Sequence, residues 1–66
     1  MERLTPTQRA VLVLAARGCR NAEIAARLGL GYSTVKHHLM EVYKRLGVRN
    51  RTEAVVALYR ELAGER

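Results

Sequence analysis

Between residues 32 and 46 the apolar positions keep helical time. Val35, Leu39, Val42 and Leu46 recur at intervals of four, three and four, which aligns them on one stripe of an α-helix, with Tyr43 beside it. The opposite side carries Ser33, Lys36, His37, Met40 and Lys44, and Glu41 falls to the flank. A second stripe of this kind lies near the C-terminus, where Ala54, Val55, Leu58 and Leu62 share a face. No run of four to eight residues alternates as a half-buried strand does, and no Asn-Gly or Asp-Gly hairpin signal occurs.

Helix start and stop signals divide the rest of the chain. Thr5-Pro6-Thr7-Gln8 reads as a capping box with proline at the first helical position, so the first helix is predicted over about Pro6 to Arg17, with Gly18 as its stop. Asn21 is the expected cap of a short second helix, Ala22 to Leu28, closed by Gly29. Gly31 precedes the third helix, Tyr32 to Leu46, closed by Gly47. Asn50-Arg51-Thr52-Glu53 reads as a second capping box and opens the fourth helix, Arg51 to Leu62. The prediction is an all-α, four-helix fold in one domain over residues 1–66.

A chain of 66 residues has room for one small core and no cofactor domain or sizeable substrate cleft. Its single cysteine, Cys19, excludes an intrachain disulfide and reads as a partly buried structural thiol. Cys19, His37 and His38 do not supply four metal ligands at usable spacing, and His37 with Glu41 would make only two. No serine or cysteine sits in a base-plus-orienter pattern, so the chain is not expected to be an enzyme. No apolar run is long enough to span a membrane and no signal-peptide core follows Met1, so a cytoplasmic protein is expected. No metal, cofactor or small-molecule ligand is expected.

The net charge of +6 points to a polyanionic partner. Its distribution says more than its size. Lys36, Lys44, Arg45, Arg49 and Arg51 stand against Glu41 alone in residues 32–51, whereas Glu53, Glu61 and Glu65 outnumber Arg60 and Arg66 beyond them. The outward face of the third helix therefore holds donors, cations and one flexible apolar side chain, but no carboxylate. A short Ala-rich helix, a turn containing Gly29 and Gly31, and a longer basic helix are the parts of a helix-turn-helix over about residues 21–46, although a generic basic bundle has the same parts.

Several separated motifs then fall in a familiar order: Leu4-Thr5-Pro6, Val11-Leu12, Gly18, Asn21-Ala22-Glu23-Ile24-Ala25, Leu28, Thr34-Val35-Lys36-His37-His38-Leu39, Lys44-Arg45-Leu46-Gly47-Val48 and Asn50-Arg51-Thr52-Glu53-Ala54-Val55. Over residues 4–62 the chain resembles the LuxR/GerE-type helix-turn-helix of bacterial response regulators, quorum-sensing regulators and small stand-alone regulators. The resemblance implies four helices, the second and third forming the DNA-binding unit, and a fourth that commonly makes a dimer contact. It also implies that Lys36 enters the major groove with His37 and Met40 beside it. Thr34, His38, Lys44, Asn50 and Arg51 resemble positions that contact the DNA backbone. Ser33 and Thr34 lie besides in a first helical turn, where free N–H groups favour phosphate.

The chain departs from that pattern at four places. Gln8 stands where an acid is usual, and its amide still closes the capping box. Arg20 replaces a common Ser or Thr, so the cap of the second helix comes from Asn21 or is weaker, and Arg20 is free to reach a phosphate. Gly31 replaces a capping Ser or Thr. Met40 replaces a polar or basic residue and suits a thymine methyl better than guanine. On the fourth helix Val56, Tyr59 and Ala63 widen the apolar arc beyond what one packed face needs, which points to a homodimer on DNA. The expected function is sequence-specific duplex DNA binding for transcription regulation on inverted half-sites. The competing reading is a protein–protein adapter that docks on RNA polymerase or another regulator. With no sensor segment in the sequence, control would come from abundance or a partner. Met1 just before the domain suits either a stand-alone protein or an excised domain.

Overall fold

The computed structural model describes residues 3–64, which form four helices: α1 (Pro6–Ala16), α2 (Asn21–Leu28), α3 (Tyr32–Leu46) and α4 (Arg51–Leu62). No strand occurs among the described residues. The all-α prediction holds, and each helix end lies within one residue of its expected place.

The capping chemistry explains both the agreement and the differences. At α1 the Thr5 hydroxyl accepts from the Gln8 N–H at 3.1 Å, and the Gln8 side-chain oxygen accepts from the Thr5 N–H at 3.1 Å. Gln8 is buried with that bond made, so the amide takes the place of the expected acid. At α2 the expected cap is wrong. Arg20 is the N-cap, with extended backbone, and Asn21 is the first helical residue. The Glu23 carboxylate accepts from the Arg20 N–H at 2.9 Å, but an arginine side chain has no acceptor to return for the N3 amide. At α4 the Asn50 side chain does cap, accepting from the Glu53 N–H at 2.9 Å. The reciprocal half slips by one residue, because Glu53 accepts from the Arg49 N–H at 2.8 Å.

Three helices end in one manner. Cys19, Leu30 and Val48 each donate their N–H to the carbonyl five residues back, on Leu14, Ala25 and Tyr43. Gly29 and Gly47 make this reversal with φ of +67° and +68°, a region costly for any side chain. The residue after each glycine then folds back onto apolar neighbours: Cys19 is buried, and Leu30 and Val48 are half-buried against the core.

That core has two parts. Val11, Ala15, Cys19, Ile24, Ala25, Val35 and Leu39 join α1, α2 and the first half of α3. Leu4, Leu12, Val42, Ala54 and Leu58 join the N-terminal segment, α1, α4 and the second half of α3. Tyr43 packs against both. Of the alanines in α2 only Ala25 is buried; Ala22 and Ala26 face solvent. On α4 the expected stripe is shorter than its spacing suggested. Ala54 and Leu58 are buried, Val55 is half-buried, and Leu62 is 63% exposed because α4 has run past the end of its neighbours' apolar surface.

Leu12→Ala should therefore cost about 2–5 kcal/mol, comparable with the whole stability of so small a core, and leave the chain largely unfolded at 25 °C. Leu62→Ala should change stability by less than about 0.5 kcal/mol. Urea denaturation followed by circular dichroism measures both, and equal losses would contradict this packing.

Candidate nucleic-acid interface

The inner stripe of α3 sets its outer face. Val35 and Val42 are fully buried and Leu39 nearly so, which fixes the rotation of the helix. Ser33, Thr34, Lys36, His37, Met40 and Lys44 are then all exposed, and His38 is half-buried beside Leu39. Met40 is 58% exposed, with no apolar neighbour among the other residues of that face. The His37 and His38 rings lie 6.3 Å apart and tilted by 56°, as neighbours on a helix must. The Lys44 ammonium stands 3.9 Å from the flanking Glu41 carboxylate, a loose pair with the lysine 80% exposed, so Lys44 remains available to another anion.

The start of α3 is open. Gly31 is its N-cap and supplies no side-chain acceptor, and no acid lies in the first turn. The N–H groups of Tyr32, Ser33 and Thr34 precede the first helical bond, from Val35 to Gly31, so they face outward as donors at the positive end of the helix dipole. The other end of α3 is tied down, with the Arg45 guanidinium donating to the Arg3 carbonyl at 3.0 Å.

The remaining site residues divide between α2 and α4. Arg20 is exposed at the start of α2, and Asn50 is exposed at the start of α4 with its oxygen used as the cap. Arg51, expected at the DNA backbone, also has partners inside the protein. It is half-buried, and its two terminal nitrogens donate to the Asn21 side-chain oxygen, at 2.7 Å, and to the Cys19 carbonyl. Nothing in the spacing pointed to this interaction, which spans about thirty residues of chain and uses a cysteine's backbone. Arg51 also opposes with its charge the upward shift that burial imposes on the Tyr43 hydroxyl. Next to it, the Glu53 carboxyl is held below its ordinary range, first by the Arg49 N–H and then by the Arg49 charge. The Arg49 guanidinium lies 3.4 Å from that carboxylate.

On α4, Val56, Tyr59 and Ala63 are exposed as expected, and Leu62 joins them. The Tyr59 hydroxyl donates to the Ala16 carbonyl at 3.3 Å, which pins the ring across the end of α1. Val56 borders a shallow hollow of about 350 Å³ with Val48, Ala57 and Arg60. A second hollow, about 430 Å³, lies between α1 and α2 and is lined by Pro6, Arg9, Ala10, Val13, Leu14 and Leu28. Among the described residues no cluster of His, Cys, Asp or Glu is grouped to hold a metal, and no helix is long and apolar enough to cross a membrane.

The family model for bacterial regulatory proteins of the luxR family matches residues 2–58. The chain belongs to that family. Its domains are DNA-binding helix-turn-helix units of transcription regulators, which is not an enzyme class. Among its relatives the chain is 47% identical over 55 residues to a probable transcriptional regulatory protein, SgaR, of Hyphomicrobium methylovorum, covering 83% of this chain and 26% of that protein. It is 41% identical over 58 residues to a putative HTH-type transcriptional regulator, YhjB, of Escherichia coli, covering 88% and 29% respectively. The nitrate/nitrite response regulator protein NarL of Escherichia coli is 39% identical over 61 residues, covering 92% of this chain and 28% of that one. The chain thus spans less than a third of the length of these relatives.

One pH effect follows from the start of α4. Glu53 has a folded pKa depressed below the ordinary 4.5, so its contribution is complete above that value and is lost as pH falls through the folded one. Glu53→Gln should therefore flatten the acid limb of the stability curve while lowering stability at neutral pH. Thermal unfolding from neutral to strongly acid pH tests this, and an unchanged acid limb would refute it.

Proposed function

We propose that this domain binds duplex DNA sequence-specifically, with α3 in the major groove. The observation that carries the reading is the outward face of α3. It is exposed and cationic, free of carboxylate at its centre, and begins with uncapped N–H donors. In this reading Lys36, His37 and Met40 meet base edges. Lysine donates to guanine O6 or N7, and the methionine, which has no donor, packs on a thymine methyl. Ser33, Thr34, His38, Lys44, Asn50 and Arg20 meet phosphates and set the register. Arg51 stands behind this set, with two of its donors already engaged inside the protein.

Two copies would associate on DNA through Val56, Tyr59 and Ala63 of α4, since these exposed apolar residues lie together on a face the core does not use. A twofold axis there would place two α3 helices on inverted half-sites about one helical turn apart. Such a regulator would act in the bacterial cytoplasm, on the nucleoid when bound. The adapter reading rests on the apolar hollow between α1 and α2, which would receive RNA polymerase or another regulator without DNA.

Selection from a random duplex pool at near-physiological salt separates the two readings. Enrichment of an inverted repeat with centres about ten base pairs apart supports the first, and retention without enrichment, or no retention, moves the adapter reading ahead. On the selected site, Lys36→Ala should cost about 1–3 kcal/mol and relax preference at one base position. A uniform loss across all sequences would make Lys36 a phosphate contact instead. Val56→Arg should weaken binding to the inverted repeat while leaving the helical signal intact, and unchanged affinity would remove α4 from the dimer.

A further inference from the structure

We propose that Arg51 is a positioning residue for Arg20, and that Arg20 carries a phosphate contact at the start of α2. The inference rests on the DNA-binding reading above and assigns the two arginines different tasks within it.

Arg51 grips the chain on both sides of Arg20. One terminal nitrogen donates to the Asn21 side-chain oxygen at 2.7 Å, and the other donates to the Cys19 carbonyl, so the residues before and after Arg20 are held by a single guanidinium. Arg20 itself is extended, with φ −77° and ψ 161°, and its N–H is fixed by the Glu23 carboxylate at 2.9 Å. Its backbone is thus restrained from three directions. Its side chain is exposed, cannot act as a cap, and meets no partner among the described residues. A long cation on a fixed base is the arrangement a phosphate contact needs, because the entropy of ordering the backbone has already been lost in folding.

The chemistry of the grip matters too. Both acceptors are neutral oxygens, so Arg51 keeps its full positive charge beside Arg20, and Glu23 is the carboxylate that faces the same turn. A planar guanidinium spans two acceptors in a fork; a lysine ammonium at the same position would have to choose one. The helix before a recognition helix crosses the DNA backbone in helix-turn-helix complexes, which puts the start of α2 within reach of phosphate. Arg51, itself half-buried, links α4 to this turn by hydrogen bonds.

The test is a salt series on the full chain with a short labelled duplex of random sequence, read by fluorescence anisotropy, for Arg20→Ala, Arg51→Ala, Arg51→Lys and the double alanine variant. Removing one phosphate interaction should lower the slope of log affinity against log salt by about 0.9. Arg20→Ala should lower it by that amount. Arg51→Ala and Arg51→Lys should approach the same value, and the double variant should fall no further. Because Arg51→Ala also removes hydrogen bonds of the folded state, circular dichroism accompanies each titration. Asn21→Ala, which removes one of the two acceptors, serves as a milder probe and should lower the slope by a smaller amount. A double variant that loses twice the single amount would make Arg51 a phosphate ligand in its own right and overturn the proposal. So would an unchanged slope in Arg20→Ala, or in Arg51→Lys and Asn21→Ala together. If the unsubstituted chain shows no salt-dependent response to duplex, the DNA-binding reading itself fails and this inference falls with it.

Discussion

Burial of the inner stripe of α3 is the interaction on which the domain depends. Val35 and Leu39 close the core built with α1 and α2, and Val42 closes the one built with α1 and α4. A single helix therefore serves two hydrophobic clusters, with Tyr43 touching both. Rotating α3 would expose the stripe and open both clusters at once. The cost would be several kcal/mol in a chain whose whole core stability is of that order. This coupling allows a cationic face to be held outward without acids to neutralise it. The repulsion between Lys36 and Lys44 is small and solvent-screened, whereas the burial opposite them is large.

The helix ends extend the same logic. A small domain cannot leave its chain reversals loose, and here three of them return an apolar residue to the core as they turn. Cys19, Leu30 and Val48 follow glycines, and each N–H closes on a carbonyl of the helix just finished. The thiol is best understood in this light. Its side chain fills part of the first cluster, and its carbonyl receives Arg51. One residue thus helps fix the start of α2 through both its side chain and its backbone.

Function follows from which polar groups the fold leaves uncommitted. Gln8, Glu23, Asn50 and Glu53 are used at helix ends, and Arg45, Arg51 and Tyr59 tie distant segments together. The exposed cations that remain include Lys36 and Lys44 on α3 and Arg20 at the head of α2, besides Arg17, Arg27 and Arg60 elsewhere on the surface.

Much of this was legible along the chain. Helix lengths, the glycine stops, the Thr5–Gln8 box and the two faces of α3 are local matters, decided by residues within four of one another, and a linear reading captures such effects. The same reading placed Lys36, His37 and Met40 outward, because the spacing of Val35, Leu39 and Val42 leaves no other side for them. What it missed is long-range or competitive. Asn21 looked like a cap, yet its side chain faces a guanidinium thirty residues away, and Arg20 takes the cap position instead. Arg51 also donates to Asn21 and to Cys19, some thirty residues away, which no local spacing indicates. Leu62 continues the apolar spacing of α4, yet it is left 63% exposed. Periodicity states which residues share a face. Only the packed structure decides how far the opposing surface extends, and which of several donors and acceptors, equivalent on paper, come within hydrogen-bond reach.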